Sequence, residues 1–492
     1  MTETAKKKRG MPSSFTILLA LLAIVAVITV IVSGTSGGAV TAARLSDFCT
    51  APILGFADAL PVCLFVMILG GFLGMMTETG ALDNGIAVLV QKLKGNEIML
   101  IPVLMLIFSL GGTTYGMCEE TVPFYALLAA TMMAAGFDPM VGAATVLLGA
   151  GCGCLGSTVN PFAVGAAVDA LTGVDIAVNQ SIIIGLGAVL WIVTTAMSIV
   201  FVMSYAKKVK ADKGSTILSM QELKDAEEAH GKAASEVHKE VKLTGRQKGV
   251  LIAFAFTFVV MIVGFIPLAD LNEGVANFFD AGAVYDADGN TVVQGWSALI
   301  TGLPIGQWYF DEASTWFFLM AVLIGIIGGL SEKQIVNTFI TGAADMMSVV
   351  LVIALARGIS VLMANTGLDV YVLDAAANAL AGLSGVIFAP MSFLVYFGLS
   401  FLIPSTSGMA TVSMPIMGPL AVKLGFSPEV MVMIFSAAIG VVNLFTPTSG
   451  AIMGGLALAK IEWTTWLKFA LKLIVALSVV CAIILTVACV LI

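Results

Sequence analysis

The chain has 492 residues, of which 59% are hydrophobic and 11% are charged. A water-soluble chain carries about a quarter charged residues, so this composition excludes a soluble enzyme or binding domain and predicts a polytopic membrane protein. The formal net charge of -8 is spread over loops, and we expect no nucleic-acid partner. The seven cysteines include no CxxC pair and both histidines lie in one hydrophilic loop, so we predict no disulfide framework and no metal site.

The first half of the chain predicts four crossings, one of them interrupted, and a hairpin. Basic residues at positions 6–9 precede the apolar run 15–32, which we interpret as a retained helix with a cytoplasmic N-terminus because no cleavage site closes it. The runs 52–76 and 181–205 predict further crossings, and 83–97 predicts an amphipathic surface helix. The mixed-charge segment 207–248 is predicted to be a solvated, partly helical cytoplasmic linker.

The hairpin is predicted around a polar stretch, Gly-Gly-Thr-Thr-Tyr-Gly-Met-Cys-Glu-Glu-Thr-Val-Pro at 111–123. Its apolar arms, 98–110 and 121–136, are short for full crossings, which predicts a re-entrant hairpin whose tip faces a cavity. No Lys or Arg occurs from 98 to 206, so Glu119 and Glu120 need a cation from elsewhere, and a transported substrate would supply one. A second polar interruption at 156–161 predicts a broken helix over 138–172.

The second half repeats these features in the same order. Thr79-Gly80 recurs as Thr366-Gly367, an offset of 287, and the tip residues 114–117 resemble 406–409. Between the halves, the crossing 250–266 leads to an acidic segment, 267–314, without Lys or Arg, which suits an exterior loop. The repeat then continues through 317–330, 346–363, a hairpin with its tip at 404–408, a helix broken at 446–450, and 466–492.

These patterns predict an all-α polytopic membrane protein with inverted repeats, each holding a re-entrant hairpin and a broken helix. The predicted divisions are a first repeat over 1–206, the linker 207–248, an extra crossing with its acidic loop over 249–313, and a second repeat over 314–492. Paired interrupted segments are typical of secondary transporters with a site near the bilayer midplane. We expect a multi-pass protein of the bacterial cytoplasmic membrane that transports a small molecule and is not an enzyme or a channel.

The predicted substrate site combines the two hairpin tips with the two helix breaks. Helix N-termini at the tips suit a carboxylate. Arg357 is the one basic residue predicted in mid-helix, and it either binds a substrate carboxylate or pairs with Glu119 or Glu120. Adjacent residues on a helix point about 100° apart, so one glutamate should face the ligand and the other Arg357 or a proton path.

The full set of candidate substrate-binding residues follows from these segments. It contains two acids, one base and a group of hydroxyl and amide side chains: Thr113, Thr114, Tyr115, Glu119, Glu120, Ser157, Thr158, Asn160, Arg357, Ser405, Thr406, Ser407, Asn443, Thr446, Thr448 and Ser449. The alternative, that the polar side chains only cap and pack broken helices, stays open.

The first tip, the Ala-Arg-Gly-Ile stretch at 356–359 and the Pro-Ser-Thr-Ser-Gly tip resemble the YfcC/ArcD-type basic amino acid antiporters. These belong with the DcuC-like carriers in the ion transporter superfamily. The resemblance implies a scaffold part and a mobile transport part, an elevator-like motion, a homodimer, and exchange of arginine for ornithine. It implies no cofactor, and whether Na⁺ or H⁺ is a coupling ion stays open. The alternative function is a sodium- or proton-coupled symporter of C4-dicarboxylates or other small carboxylates on the same fold.

Overall fold

Eight helices in the described part of the chain are long and apolar enough to cross a membrane. The computed structural model describes residues 14–82, 84, 85, 88, 96–236, 242–266, 268, 273–286, 291–403 and 405–492. The basic positions 6–9, most of the predicted surface helix at 83–97 and position 404 of the second tip lie outside these ranges. The candidate spans are Phe15–Ser33, Leu60–Glu78, Glu97–Tyr115, Gln180–Ala211, Gly245–Phe265, Phe310–Gly328, Met347–Thr366 and Trp463–Leu491.

The first half of the chain forms helices in the predicted order. They are α1 (Ser14–Ser33), α2 (Leu45–Asp58), α3 (Leu60–Glu78), α4 (Leu100–Tyr115), α5 (Val122–Ala134), α6 (Pro139–Leu155), α7 (Ala166–Thr172) and α8 (Gln180–Ala211). A 3-10 turn, Glu119–Thr121, leads into α5, and a π-helical turn, Pro161–Gly165, leads into α7. Helices α4 and α5 are the arms of the first predicted hairpin, and α6 and α7 are the halves of the first broken helix. The prediction of a short first arm that ends at 110 is wrong, because residues 111–115 continue α4 and the segment Glu97–Tyr115 is long enough to cross a membrane.

The second half contains more helices than the sequence predicts. After α9 (Met220–Glu236), the chain forms α10 (Gly245–Phe265), α11 (Glu273–Phe279), β1 (Val284–Tyr285), β2 (Thr291–Val293), α12 (Phe310–Gly328), α13 (Glu332–Asp345), α14 (Met347–Thr366), α15 (Leu368–Leu380), α16 (Gly385–Leu402), α17 (Thr406–Lys423), α18 (Pro428–Val442), α19 (Gly450–Leu458) and α20 (Trp463–Leu491). The antiparallel pair β1–β2 lies in the acidic loop, so the described part of the expected all-α chain contains one small strand pair.

One predicted crossing is divided, and two helices were not predicted. The predicted crossing 52–76 begins at Leu45 and is divided at Ala59, because Pro61 lacks an N–H and starts a new helix in its first turn. Helices α13 and α15 were not predicted as separate elements. Helix α13 starts at a capping box in which Ser331 and Gln334 bond to each other's backbone, a start signal within a polar segment.

The segment predicted as a solvated linker forms a docked helix. In α9, Glu222 and His230 are buried. Glu222 Oε1 accepts a hydrogen bond from the Glu462 backbone N at 2.9 Å, and His230 Nε2 lies 3.0 Å from the Leu458 carbonyl oxygen. The chain that leads into α9 is held by Asp138, whose Oδ2 accepts from the Thr216 hydroxyl at 2.7 Å. Residues 237–241 of the predicted linker lie outside the described part.

Most of the described helices pack into two bodies. The glycine-packed body contains α1–α3, α10 and α12–α14; in it α2 packs on α14 and α3 packs on α13. The hairpin body contains α4–α8 and α16–α20; in it α4 and α5 both pack on α6, and α18 packs on α6 and α16. The main contact between the two bodies is that of α14 with α19. The turn Glu119–Thr121 at the first tip packs on α3, and α19, after the second break, packs on α14, so both lie against the glycine-packed body.

Candidate functional site

A cavity of about 300 Å³ lies between the two bodies. Ten of the predicted site residues line it, and they come from both hairpin tips, both helix breaks and α14: Glu119, Glu120, Asn160, Arg357, Ser405, Thr406, Ser407, Asn443, Thr448 and Ser449. Cavities of this volume are at the small end of those that bind ligands, so it fits a molecule the size of an amino acid.

Six predicted residues are not brought to the cavity lining, and five of them bond within the protein. The Thr113 hydroxyl donates to the Gly156 carbonyl at 2.7 Å, and the Thr158 hydroxyl donates to the Thr113 carbonyl at 3.0 Å. The Tyr115 ring stacks on Phe265 with 5.4 Å between centroids. Thr114, Ser157 and Thr446 bond to Leu110 O, Cys154 O and Thr448 Oγ1. For these hydroxyls, capping and packing is the role that the contacts show.

The first tip is built on close packing and one left-handed glycine. Helix α4 crosses α6 so closely that a Cβ on Gly112 would lie 2.8 Å from the Cys154 N. Helix α4 then ends at Gly116, whose φ of 79° favours glycine and whose Cβ position is filled by the Asn160 side chain. Asn160 Oδ1 accepts from the Phe162 N at 2.9 Å and thereby caps the turn that restarts the broken helix. The tip and the break are therefore held as one unit.

The two adjacent glutamates lie in the 3-10 turn Glu119–Thr121 and have different surroundings. Glu120 is 1% exposed, and its Oε2 accepts a hydrogen bond from the Cys118 backbone N at 2.9 Å. Glu119 is half-buried. Both line the cavity at the N-terminal end of α5, where unpaired N–H groups favour a carboxylate. Glu119 is therefore the more accessible of the two to a ligand.

The ion-pair partner of Arg357 is Asp58, which the sequence analysis did not select. Arg357 Nε donates to Asp58 Oδ2 at 2.9 Å. Of the two alternatives left open for Arg357, pairing with Glu119 or Glu120 is not the one found among the described residues, and binding of a substrate carboxylate stays a prediction. Asp58 was missed because the run 52–76 was interpreted as one continuous helix, in which its carboxylate had no assigned partner. An acid within an apolar run was the available signal.

The second tip presents a helix N-terminus to the cavity. Ser405 is the N-cap of α17, and its Oγ accepts from the Gly408 N at 3.1 Å. On the second broken helix, Ser449 is the N-cap position of α19, and the Thr446 and Thr448 hydroxyls lie 2.7 Å apart. Two helix N-termini, with the hydroxyls around them, therefore face the same space as the glutamates and Arg357.

The described lining residues of the cavity include more acids than bases. Asp58, Glu119 and Glu120 contribute three carboxylates, and Arg357 contributes one guanidinium. The described residues contain no group of three or more His, Cys, Asp or Glu side chains that could hold a metal ion. A ligand that combines a carboxylate with cationic groups complements this arrangement, because the helix N-termini and Arg357 favour the anion and the acids favour the cations.

The apolar helices and the site between helix breaks are those of an integral membrane protein with a small-molecule cavity. Residues 39–490 match the family model DcuC, described as C4-dicarboxylate anaerobic carrier. The chain therefore belongs to the DcuC family of membrane transporters, and the resemblance drawn from the two hairpin tips and the stretch 356–359 is confirmed.

The relatives include proteins of two bacteria. An uncharacterized protein of Haemophilus influenzae is 28% identical over 90% of this chain and 78% of its own length. A protein of Escherichia coli named "Putative basic amino acid antiporter YfcC" is 28% identical over 84% of this chain and 74% of its own. Among solved structures, Neisseria gonorrhoeae MtrF is 16% identical with a TM-score of 0.44, covering 98% of this chain and 96% of its own. Alcanivorax borkumensis YdaH is 14% identical with a TM-score of 0.48, covering 97% and 98%.

Proposed function

We propose that this protein is a secondary active transporter of basic amino acids that exchanges arginine for ornithine by alternating access. The observation that carries the proposal is the charge of the cavity, where the described lining holds three carboxylates and one guanidinium. Arginine and ornithine each bring two cationic groups and one carboxylate, which complements that set. The name of the Escherichia coli relative supports the same substrate class.

In the proposed binding mode, the substrate carboxylate lies near Arg357 and the N-terminus of α17, and a cationic group lies near Glu119 or Glu120. Leaving buried carboxylates without a partner is costly, so the empty carrier should cross between states slowly. Loading with either basic amino acid neutralises the acids and permits the movement. Exchange, rather than net uptake, follows from that difference.

The proposed movement uses the two bodies. The hairpin body would be the mobile transport part and the glycine-packed body the scaffold, in an elevator-like motion of each protomer of a homodimer. The divisions 1–206, 207–248, 249–313 and 314–492 belong to this proposal as two inverted repeats with their connecting segments. We also propose that the protein lies in the bacterial cytoplasmic membrane with its N-terminus in the cytoplasm. In this orientation Lys207, Lys460 and Lys468 lie on the cytoplasmic side, as the positive-inside rule requires.

A second candidate is symport of C4-dicarboxylates or other small carboxylates with Na⁺ or H⁺. The description of the family model favours it, as do Arg357 and the two helix N-termini at the cavity. Against it, a second substrate carboxylate would lie in the same cavity as Glu119 and Glu120, and like charges that are close together in a buried site repel strongly.

The test is uptake of labelled arginine into proteoliposomes that contain the purified protein. Vesicles preloaded with ornithine are compared with malate-loaded and empty vesicles. Uptake that requires internal ornithine supports exchange of basic amino acids. Uptake that ignores ornithine and follows a sodium or proton gradient would show symport, and labelled malate uptake without any arginine uptake would favour the carboxylate candidate.

A further inference from the structure

We propose that Asp58 and Arg357 together form a clamp for the α-ammonium and α-carboxylate groups of the transported amino acid. Asp58 would then be a further substrate-binding residue that sets specificity for an α-amino group. This inference rests on the proposed function, because it assigns the two ends of a basic amino acid to opposite walls of the same cavity. Glu119 and Glu120, on the hairpin body, are left for the cationic side chain.

The geometry of the ion pair leaves polar atoms for a ligand. Arg357 Nε donates to Asp58 Oδ2 at 2.9 Å, so the contact uses one donor of the guanidinium and one oxygen of the carboxylate. The two Nη groups of Arg357 can bind a carboxylate through two parallel hydrogen bonds. Asp58 Oδ1 can accept from an ammonium group. The side chains are 25% and 52% exposed, and both line the cavity.

The packing of α2 on α14, which carries the Asp58–Arg357 ion pair, has a counterpart in the packing of α13 on α3. At the offset of 287 residues, Gly55 and Gly358 on α2 and α14 correspond to Gly342 and Gly71 on α13 and α3. A Cβ on Gly358 would lie 2.7 Å from the Ala51 carbonyl oxygen, and a Cβ on Gly342 would lie 3.1 Å from the Gly71 Cα. Both helix pairs therefore meet through glycines at close approach.

The charges differ between these two helix pairs. Asp58 corresponds to Asp345, and both are exposed, whereas Arg357 corresponds to Gly70, which has no side chain. Among the residues that the structure describes, helix pairing of this kind is thus formed without an ion pair at the second location. The ion pair occurs at the location that lines the cavity, and neither Asp345 nor Gly70 lines it. This difference favours a role for Asp58 and Arg357 in the cavity over a role in holding the helices together.

The experiment measures how well three unlabelled compounds compete with labelled arginine for exchange against internal ornithine. The competitors are arginine, argininic acid, which has a hydroxyl in place of the α-ammonium, and agmatine, which lacks the carboxylate. We expect the wild-type protein to prefer arginine over argininic acid by about tenfold or more, since hydrogen bonds between charged groups contribute on that order. In Asp58→Asn this preference should fall to about threefold or less, while the preference over agmatine persists. In Arg357→Gln the preference over agmatine should fall, while the preference over argininic acid persists.

Two further variants complete the design. Asp345→Asn is the matched control and should keep both preferences of the wild type. Asp58→Glu retains the charge and should restore part of the preference over argininic acid. Because each preference is a ratio measured on one preparation, it does not depend on how much of a variant is correctly folded.

The outcomes separate this inference from the proposed function. If the wild type exchanges basic amino acids but Asp58→Asn weakens arginine and argininic acid by the same factor, Asp58 does not bind the α-ammonium and the clamp is wrong. If the wild type exchanges no basic amino acid, both the clamp and the proposed function are overturned.

Discussion

At the scale of single residues, Glu119 and Glu120 should respond differently to loss of charge. Glu119→Gln removes a half-buried carboxylate that lines the cavity, so the KM for arginine should rise about tenfold or more. Glu120→Gln keeps an oxygen that can accept from the Cys118 N, so the tip should keep its geometry and the KM should rise less. Arginine–ornithine exchange in proteoliposomes measures both.

The control for these variants is Glu332→Gln, at an exposed glutamate in the first turn of α13. It should leave exchange unchanged. Normal exchange by both Glu119→Gln and Glu120→Gln would show that the cavity does not use its acids to bind a cation, and the antiporter proposal would lose its main support.

The residues of the site could be predicted from sequence only in part. The acids, the arginine and the hydroxyls stand out because such side chains are rare in apolar membrane helices unless they have a structural or functional role. Sequence does not show which carbonyl each hydroxyl meets, so Thr113 and Thr158, which bond across the break, were not distinguishable from Ser407, which lines the cavity. To predict that Asp58 lines the site, one would have to know that α2 ends at that residue and packs beside α14.

At the scale of secondary-structure elements, both helix breaks were predictable because their causes are local. Asn160 and Pro161 cap and restart the first broken helix, and Ser449 stands at the start of the last piece of the second. Docking of α9 was not predictable. Its composition is that of a solvated helix, and its buried contacts are with the backbone of residues Leu458 and Glu462, more than two hundred positions away.

The docking of α9 should weaken in acid. Burial, and Lys460 beside it, lower the pKa of His230 below the ordinary value of 6.5, whereas its bond to the Leu458 carbonyl opposes that shift. A group whose pKa is depressed in the folded state binds more protons when released, so docking is favoured above pH 6.5 and lost as the pH falls below it. Hydrogen exchange of α9 amides, corrected for the intrinsic rate, should show several-fold lower protection at about pH 5.5 than at about pH 7.5.

His230→Gln provides the control for this prediction. Glutamine can donate to the same carbonyl and does not titrate in this range. Its α9 amides should show the same corrected protection at both pH values. Equal protection of α9 at both pH values in the wild type would mean that His230 does not link docking to protonation.

At the scale of the whole molecule, the repeat offset has a counterpart in reciprocal contacts. Gly55 contacts Gly358, and Gly342 contacts Gly70 and Gly71. Gly342 is the counterpart of Gly55, and Gly71 is the counterpart of Gly358, so the same contact occurs twice between corresponding positions. These are the contacts that two helix pairs related by a two-fold axis would make. The offset was visible in the sequence, but the partners were not, because an offset does not say which helices touch.

The elevator proposal predicts that joining the two bodies stops exchange. Helices α14 and α19 meet at Val349 and Gly454, where a Cβ on Gly454 would lie 3.2 Å from the Val349 Cβ. This separation is near the range of about 3.5–4.5 Å found between disulfide-bonded Cβ atoms. A Val349→Cys/Gly454→Cys variant, made in a background without the seven native cysteines, should therefore form a disulfide when oxidised.

The oxidised double variant should lose at least about nine-tenths of arginine–ornithine exchange and recover it on reduction, because a covalent bond prevents α19 from moving along α14. Neither residue lines the cavity, so arginine binding to the oxidised protein should persist within about threefold. The two single-cysteine variants, oxidised in the same way, control for the substitutions themselves. Full exchange by a protein shown by mass spectrometry to contain the disulfide would mean that α14 and α19 stay together during transport. The moving part would then have to be sought within the hairpin body, at the tips themselves.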